Sequence, residues 1–77
     1  FDEIEVDVVE FQPEINSPIT QYPLKDLNLP KDCIIGMINH HGKIRIAHGT
    51  SILTEDDTAL VFAKPKAIGK IKKLFIK

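Results

Sequence analysis

The run Cys33-Ile34-Ile35-Gly36-Met37-Ile38 constrains this chain more than any other stretch. It is nearly all apolar and short, which reads as a β-strand covered on both faces rather than as one side of a helix. Such a strand needs material above and below it, and the chain has only 77 residues to supply it. Single domains usually hold about 100–150 residues, and a chain this short buries only roughly 60% of its unfolded surface. One domain over residues 1–77 is therefore expected, together with a partner that completes the cover. The first residue is Phe1 and Met37 is the only methionine, which suggests a piece of a longer polypeptide.

Gly42 marks a hairpin from that strand into Lys43-Ile44-Arg45-Ile46. A two-residue loop of His41 and Gly42 would set Ile38 opposite Arg45 and Asn39 opposite Ile44. A three-residue loop of His40, His41 and Gly42 sets Asn39 opposite Lys43, Ile38 opposite Ile44 and Gly36 opposite Ile46. Side-chain matching favours the second register, which leaves Ile34, Gly36 and Ile38 on one face and Cys33, Ile35 and Met37 on the other. The latter three are then the expected dimer contacts, because a second copy is the simplest cover for them.

Elsewhere the chain alternates from Ile4 to Phe11, with Ile4, Val6 and Val8 opposed to Glu3, Glu5 and Asp7, which is strand periodicity. The adjacent Val8 and Val9 shift the phase and suggest either a bulge or a strand covered on both faces near its end. Pro23 followed by Leu24 and Leu27 suggests a short helix that Pro30 ends. Thr54-Glu55-Asp56-Asp57 reads as a polar turn before a strand from Thr58 to Ala63. Pro65 then opens a helix with Ile68, Ile71, Leu74 and Phe75 on one face. The fold class is α+β: a small mixed or antiparallel sheet of about four strands, a short helix after the first strand and an amphipathic C-terminal helix.

Charge is polarised although the net value is only -1. Residues 1–14 hold six acids and no base, and residues 64–77 hold six lysines and no acid, so the ends should attract each other. The lysine-rich end has no arginine or tryptophan, which argues against nucleic acid as a partner. No apolar run reaches the ~18 residues of a membrane span.

Little in the chain points to chemistry. His40, His41 and His48 invite a metal reading, but neighbours in an extended chain point to opposite faces, so no metal site is expected. Asp56 and Asp57 lie in a turn with no nucleophile near them in sequence. Cys33 is the only cysteine, and inside an apolar run it reads as a small hydrophobe rather than a disulfide, zinc or redox residue. No catalytic residue and no cofactor are assigned, and the chain is not expected to be an enzyme. An enzyme reading would need a cleft of Asp32, Cys33 and His48 with a perturbed titration.

An ordered series of short motifs extends this reading. Asn16-Ser17-Pro18-Ile19, Pro23-Leu24-Lys25-Asp26-Leu27-Asn28-Leu29-Pro30, Ile34-Ile35-Gly36-Met37-Ile38, Gly42, Gly49, Leu53, Asp57 and Val61-Phe62-Ala63-Lys64-Pro65 follow one another along nearly the whole chain. Together they resemble the TrkA C-terminal domain, the C-terminal subdomain of regulators of potassium conductance. The resemblance implies a regulatory, ligand-sensing and dimerising domain of a potassium uptake or channel system. It further implies a Rossmann-type nucleotide-binding domain on the same full-length chain, and a cytoplasmic place against a membrane transporter or channel subunit. The same module serves other transporters, so a sensor for one of them, or a stand-alone small-molecule sensor, is the alternative.

Some family members bind cyclic dinucleotides with an arginine and an asparagine at the stretch that here reads Leu29-Pro30-Lys31-Asp32-Cys33-Ile34-Ile35. Neither residue is present, which argues against that ligand and leaves Lys31 as the cation. A small anionic effector held by Pro30, Lys31, Cys33 and Ile35 is the resulting expectation. Two further departures are Gln21 and Asp56, each standing where the family often has glycine.

Overall fold

The computed structural model describes residues 5–77. Four strands, β1 (Asp7–Phe11), β2 (Cys33–His40), β3 (Lys43–Ile46) and β4 (Asp57–Ala63), form one sheet, and one helix, α1 (Pro65–Lys72), follows β4. The strand order is β1-β4-β2-β3 and every neighbouring pair is antiparallel. This is the expected α+β fold, with a difference after β1. The expected short helix is two single 3-10 turns, Pro18–Thr20 and Leu24–Asp26. Prolines at positions 18, 23 and 30 deny the segment the consecutive amide donors that an α-helix needs.

One face of the sheet carries the core. Val61, Ala59 and Ala63 of β4 and Ile35 and Ile38 of β2 lie under Ala67 and Ile71 of α1, with Ile19, Leu24, Leu53 and Phe75 closing the sides. The apolar spacing of α1 is as read from sequence, but Leu74 and Phe75 fall in a turn beyond the helix, where their amides donate to Ile71 and Lys72. The Phe75 ring stacks on Phe11 with centroids 5.0 Å apart.

The hairpin takes the register that side-chain matching disfavoured. His40 pairs with Lys43, Asn39 with Ile44, Ile38 with Arg45 and Met37 with Ile46. The two loop residues have left-handed backbones, with φ of 50° at His41 and 86° at Gly42, and the Asn39 side chain accepts the Gly42 N–H at 2.9 Å. A two-residue turn of this kind matches the natural twist of paired strands, and that local preference decides the register.

A bulge then redistributes the faces. It lies in β2 rather than in β1, whose pairing with β4 is regular: Ile35 faces Val61 and Met37 faces Leu60, so Gly36 is the extra residue. Ile35 and Ile38 thereby both reach the core, 7% and 0% exposed, although strict alternation would separate them. The expected grouping of Cys33, Ile35 and Met37 on one face is overturned for this reason. Glycine is favoured at the bulge, because a Cβ at Gly36 would stand 2.5 Å from the Phe62 ring and force it to shift.

The second face of the sheet has no layer over it among the described residues. Cross-strand register aligns Val8, Phe62 and Ile34 in one row and Glu10, Leu60, Met37 and Ile46 in the next. Ile34 is 65% exposed and Ile44 and Ile46 are each 67% exposed, so β2 is covered on one side only. Ile4, expected on this strand face, lies outside the described residues.

Glu14 meets the C-terminal segment, and among the described residues it does so without a pair of charged side chains. The amide of Glu14 donates to the Phe75 carbonyl at 2.8 Å, and the amide of Lys77 donates to Glu14 Oε1 at 2.8 Å. Among the described residues the lysines of the C-terminal run form ion pairs with Asp32 alone, from Lys64 at 3.9 Å and Lys66 at 3.6 Å. Asp2 and Glu3 lie outside the described residues.

Candidate functional site

The start of β2 forms one wall of a groove. Before it, Asp32 takes a left-handed φ of 66°, turning the chain so that Cys33 enters the strand. Opposite, the Leu24–Asp26 turn is tied to the loop after β3: the Leu24 amide donates to Ser51 at 2.9 Å and the Lys25 amide to Gly49 at 2.8 Å. The His48 amide donates to Ser51 Oγ at 2.9 Å, which sets the loop. These tethers enclose a groove lined by Leu24, Leu29, Cys33, Ile34, Ile35 and Ala47, with Lys25, His48 and Gly49 completing the lining.

Of the residues expected to hold an effector, Cys33 and Ile35 line the groove. Pro30 contributes through its carbonyl, which accepts the Cys33 thiol at 3.1 Å, while Lys31 is exposed and is not among the lining residues. The cation at this groove is Lys25, which sequence reasoning missed. Its place depends on the backbone tether to Gly49, a contact between segments more than twenty residues apart that no local spacing announces.

The groove does not have the electrostatics of a thiol active site. Burial, and then the neighbouring Asp32 carboxylate, push the Cys33 pKa upward, so the sulfur stays protonated and weakly nucleophilic. Asp32 faces a second hollow with Val6, Phe62 and Lys64 on the other side of the strand. Asp32, Cys33 and His48 thus do not share one cleft.

At the sheet's far end His40 and Asp57 hold each other in place. Asp57 is 1% exposed and accepts a hydrogen bond from His40 Nδ1 at 2.6 Å. Its other oxygen accepts the Thr54 amide at 2.9 Å and the Thr54 hydroxyl at 3.3 Å. Burial acts to raise the Asp57 pKa, but the Thr54 amide and the His40 ring outweigh it, and the carboxyl lies below its ordinary range. Asp56 is exposed and is not among the residues with a left-handed backbone, so aspartate serves there without strain. Among the described residues no three of His, Cys, Asp and Glu stand close enough together to hold a metal ion.

With the four-stranded sheet, the groove and the Asp57 turn in place, comparison with known proteins decides the family. Residues 8–76 match the TrkA-C domain. The chain belongs to that family. The chain is 32% identical over 92% of its length to the "Trk system potassium uptake protein TrkA homolog" of Pyrococcus horikoshii, of which it covers 32%. The Archaeoglobus fulgidus protein of the same description is 42% identical over 78% of the chain, which is 14% of that relative. "Trk system potassium uptake protein TrkA homolog 2" of Methanosarcina mazei is 30% identical over 90% of the chain and 15% of its own length. This chain thus spans about a third or less of the length of the TrkA relatives it matches. Among the described residues of this TrkA-C domain, no helix is long and apolar enough to cross a membrane.

Proposed function

We propose that this chain is the regulatory domain of a potassium uptake or channel protein, and that it works by sensing a small ligand and by dimerising. The observation that supports this most directly is the groove at the start of β2, in a TrkA-C domain whose relatives carry the name of potassium uptake proteins. The groove has an apolar floor of Leu24, Leu29, Cys33 and Ile35 and cationic or polar groups at Lys25 and His48. That composition suits a small anionic effector with an apolar body. No catalytic role is assigned: the effector is bound rather than transformed.

Dimerisation is assigned to the uncovered sheet face. Val8, Ile34, Met37, Ile44, Ile46 and Phe62 lie on that face, interleaved with Glu10, Asn39 and Thr58, and exposed apolar patches that exceed scattered single residues mark association sites. Of the contacts first expected, Met37 stays on this surface, whereas Ile35 belongs to the core and Cys33 to the groove. A second copy, two-fold related, supplies the missing layer. The remainder of the longer polypeptide, including a Rossmann-type nucleotide-binding domain, would connect this module to its cytoplasmic place beside the transporter.

Two measurements test the assignment. In cells that depend on the full-length protein for potassium uptake, deletion of the segment matching residues 8–76 should leave transport present but unresponsive to conditions that normally alter it. Uptake and its response indistinguishable from the intact protein would overturn the regulatory role. In the isolated chain, NMR titration with mononucleotides and dinucleotides should move the Leu29, Cys33 and Ile35 signals. A response confined to His40 and His41 would overturn the site.

A further inference from the structure

The helix α1 has a face that its own fold does not use. Ala67, Ile68 and Ile71 turn toward the core, while Lys66, Gly69, Lys70, Lys72 and Lys73 project on the opposite side and are exposed. Of these lysines only Lys66 has an ion-pair partner among the described residues, the Asp32 carboxylate at 3.6 Å.

Gly69 stands in the middle of that face. Glycine is among the least favourable residues in a helix interior, because it loses the most backbone freedom on folding. Gly36 and Gly42 have intramolecular reasons, one under the Phe62 ring and the other at a left-handed φ. Gly69 has neither: a Cβ built there meets nothing within 4 Å. A bare patch of backbone at the centre of a helix face permits something outside the chain to approach closely.

We propose that this face docks an acidic protein surface, with glutamate or aspartate side chains reaching Lys66, Lys70 and Lys73 while the partner's main chain or a small side chain rests on Gly69. Charge complementarity supplies the sign of the partner, and Gly69 distinguishes a protein from an anionic bilayer. A fluid headgroup layer gains nothing from one missing methyl group. Membrane-lying helices also carry aromatic or bulky apolar side chains beside their lysines, and the residues of this face include none. Helix α1 packs on the core face of the sheet through Ala67 and Ile71, so Lys70 and Lys73 on its outer side stay available whether or not the chain dimerises as proposed above.

The test uses the isotope-labelled chain and a synthetic amphipathic helical peptide with glutamates along one face, followed by amide NMR. The peptide should shift Gly69, Lys70 and Lys73. The double variant K70E/K73E should weaken binding about tenfold at low salt. G69A should weaken binding several-fold while raising the Tm of the chain, a combination that a merely structural glycine would not produce. Unchanged peptide affinity in G69A, or a Tm that falls, would overturn the proposal. So would shifts produced by phosphatidylserine vesicles and not by the peptide.

Discussion

His40 of β2 and Asp57 of β4 sit directly opposite each other, and the 2.6 Å bond between the His40 ring and the Asp57 carboxylate joins the strand end to the Thr54 turn. Asp57 is the one acidic side chain buried in the described residues, and every hydrogen bond it accepts comes from an element it helps to position.

Its folded pKa is depressed, so its contribution to stability is complete above the unfolded value of about 3.9 and is lost as pH falls through the lower folded value. Urea unfolding of the parent chain should therefore show a fall in stability on the acid side of pH 4 that is smaller in Asp57→Asn. At neutral pH, Asp57→Ala should cost about 2–4 kcal/mol by stranding the Thr54 amide and opening a gap. An Asp57→Ala variant as stable as the parent would show that the turn needs no staple.

Gly36→Ala should destabilise the chain by about 1–2 kcal/mol, because the added methyl would meet the Phe62 ring at 2.5 Å. Phe62 is only partly buried, so its ring can swing outward and limit the loss. Combining Gly36→Ala with Phe62→Leu should restore part of the stability, a coupling that a double-mutant cycle measures directly.

Association and folding should separate cleanly on the two faces of β2. Ile38→Ala, at a position with no exposure, should cost about 2–5 kcal/mol in denaturant unfolding. Ile44→Asp, on the open face at 67% exposure, should leave monomer stability within about 0.5 kcal/mol and shift sedimentation from dimer to monomer. A parent chain that sediments as a monomer at tens of micromolar, roughly where a dimer held by about 7 kcal/mol dissociates, would refute the dimer.

Removal of the C-terminal segment should be far more damaging than any change of its charges. Phe75→Ala should cost about 3–5 kcal/mol through loss of the Phe11 stack and the core contact. Sodium chloride at ~1 M, which shortens electrostatic reach to about 3 Å, should leave the Tm unchanged or higher, since it relieves lysine repulsion and breaks few pairs. A clear fall in Tm would mean that the acidic and basic ends hold each other through charge.

Periodicity and apolar clustering determined a good deal by themselves. The strands at 33–38, 43–46 and 58–63 and the helix opening at Pro65 follow from local pattern, as does the family resemblance that its ordered motifs carry. The hairpin register was a local choice that apolar matching misread, whereas tertiary structure alone decided the bulge at Gly36 and the partners of His40 and Asp57. A two-residue turn with left-handed His41 and Gly42 is worth more than apolar matching across the hairpin, and it leaves Ile44 and Ile46 on the open face. The bulge exists because β2 must place both Ile35 and Ile38 against the helix while leaving room for the Phe62 ring, a requirement set by β4 more than twenty residues away. Lys25 enters the groove for a similar reason, through its own amide bond to Gly49 and that of Leu24 to Ser51, which exist only once the chain has closed on itself.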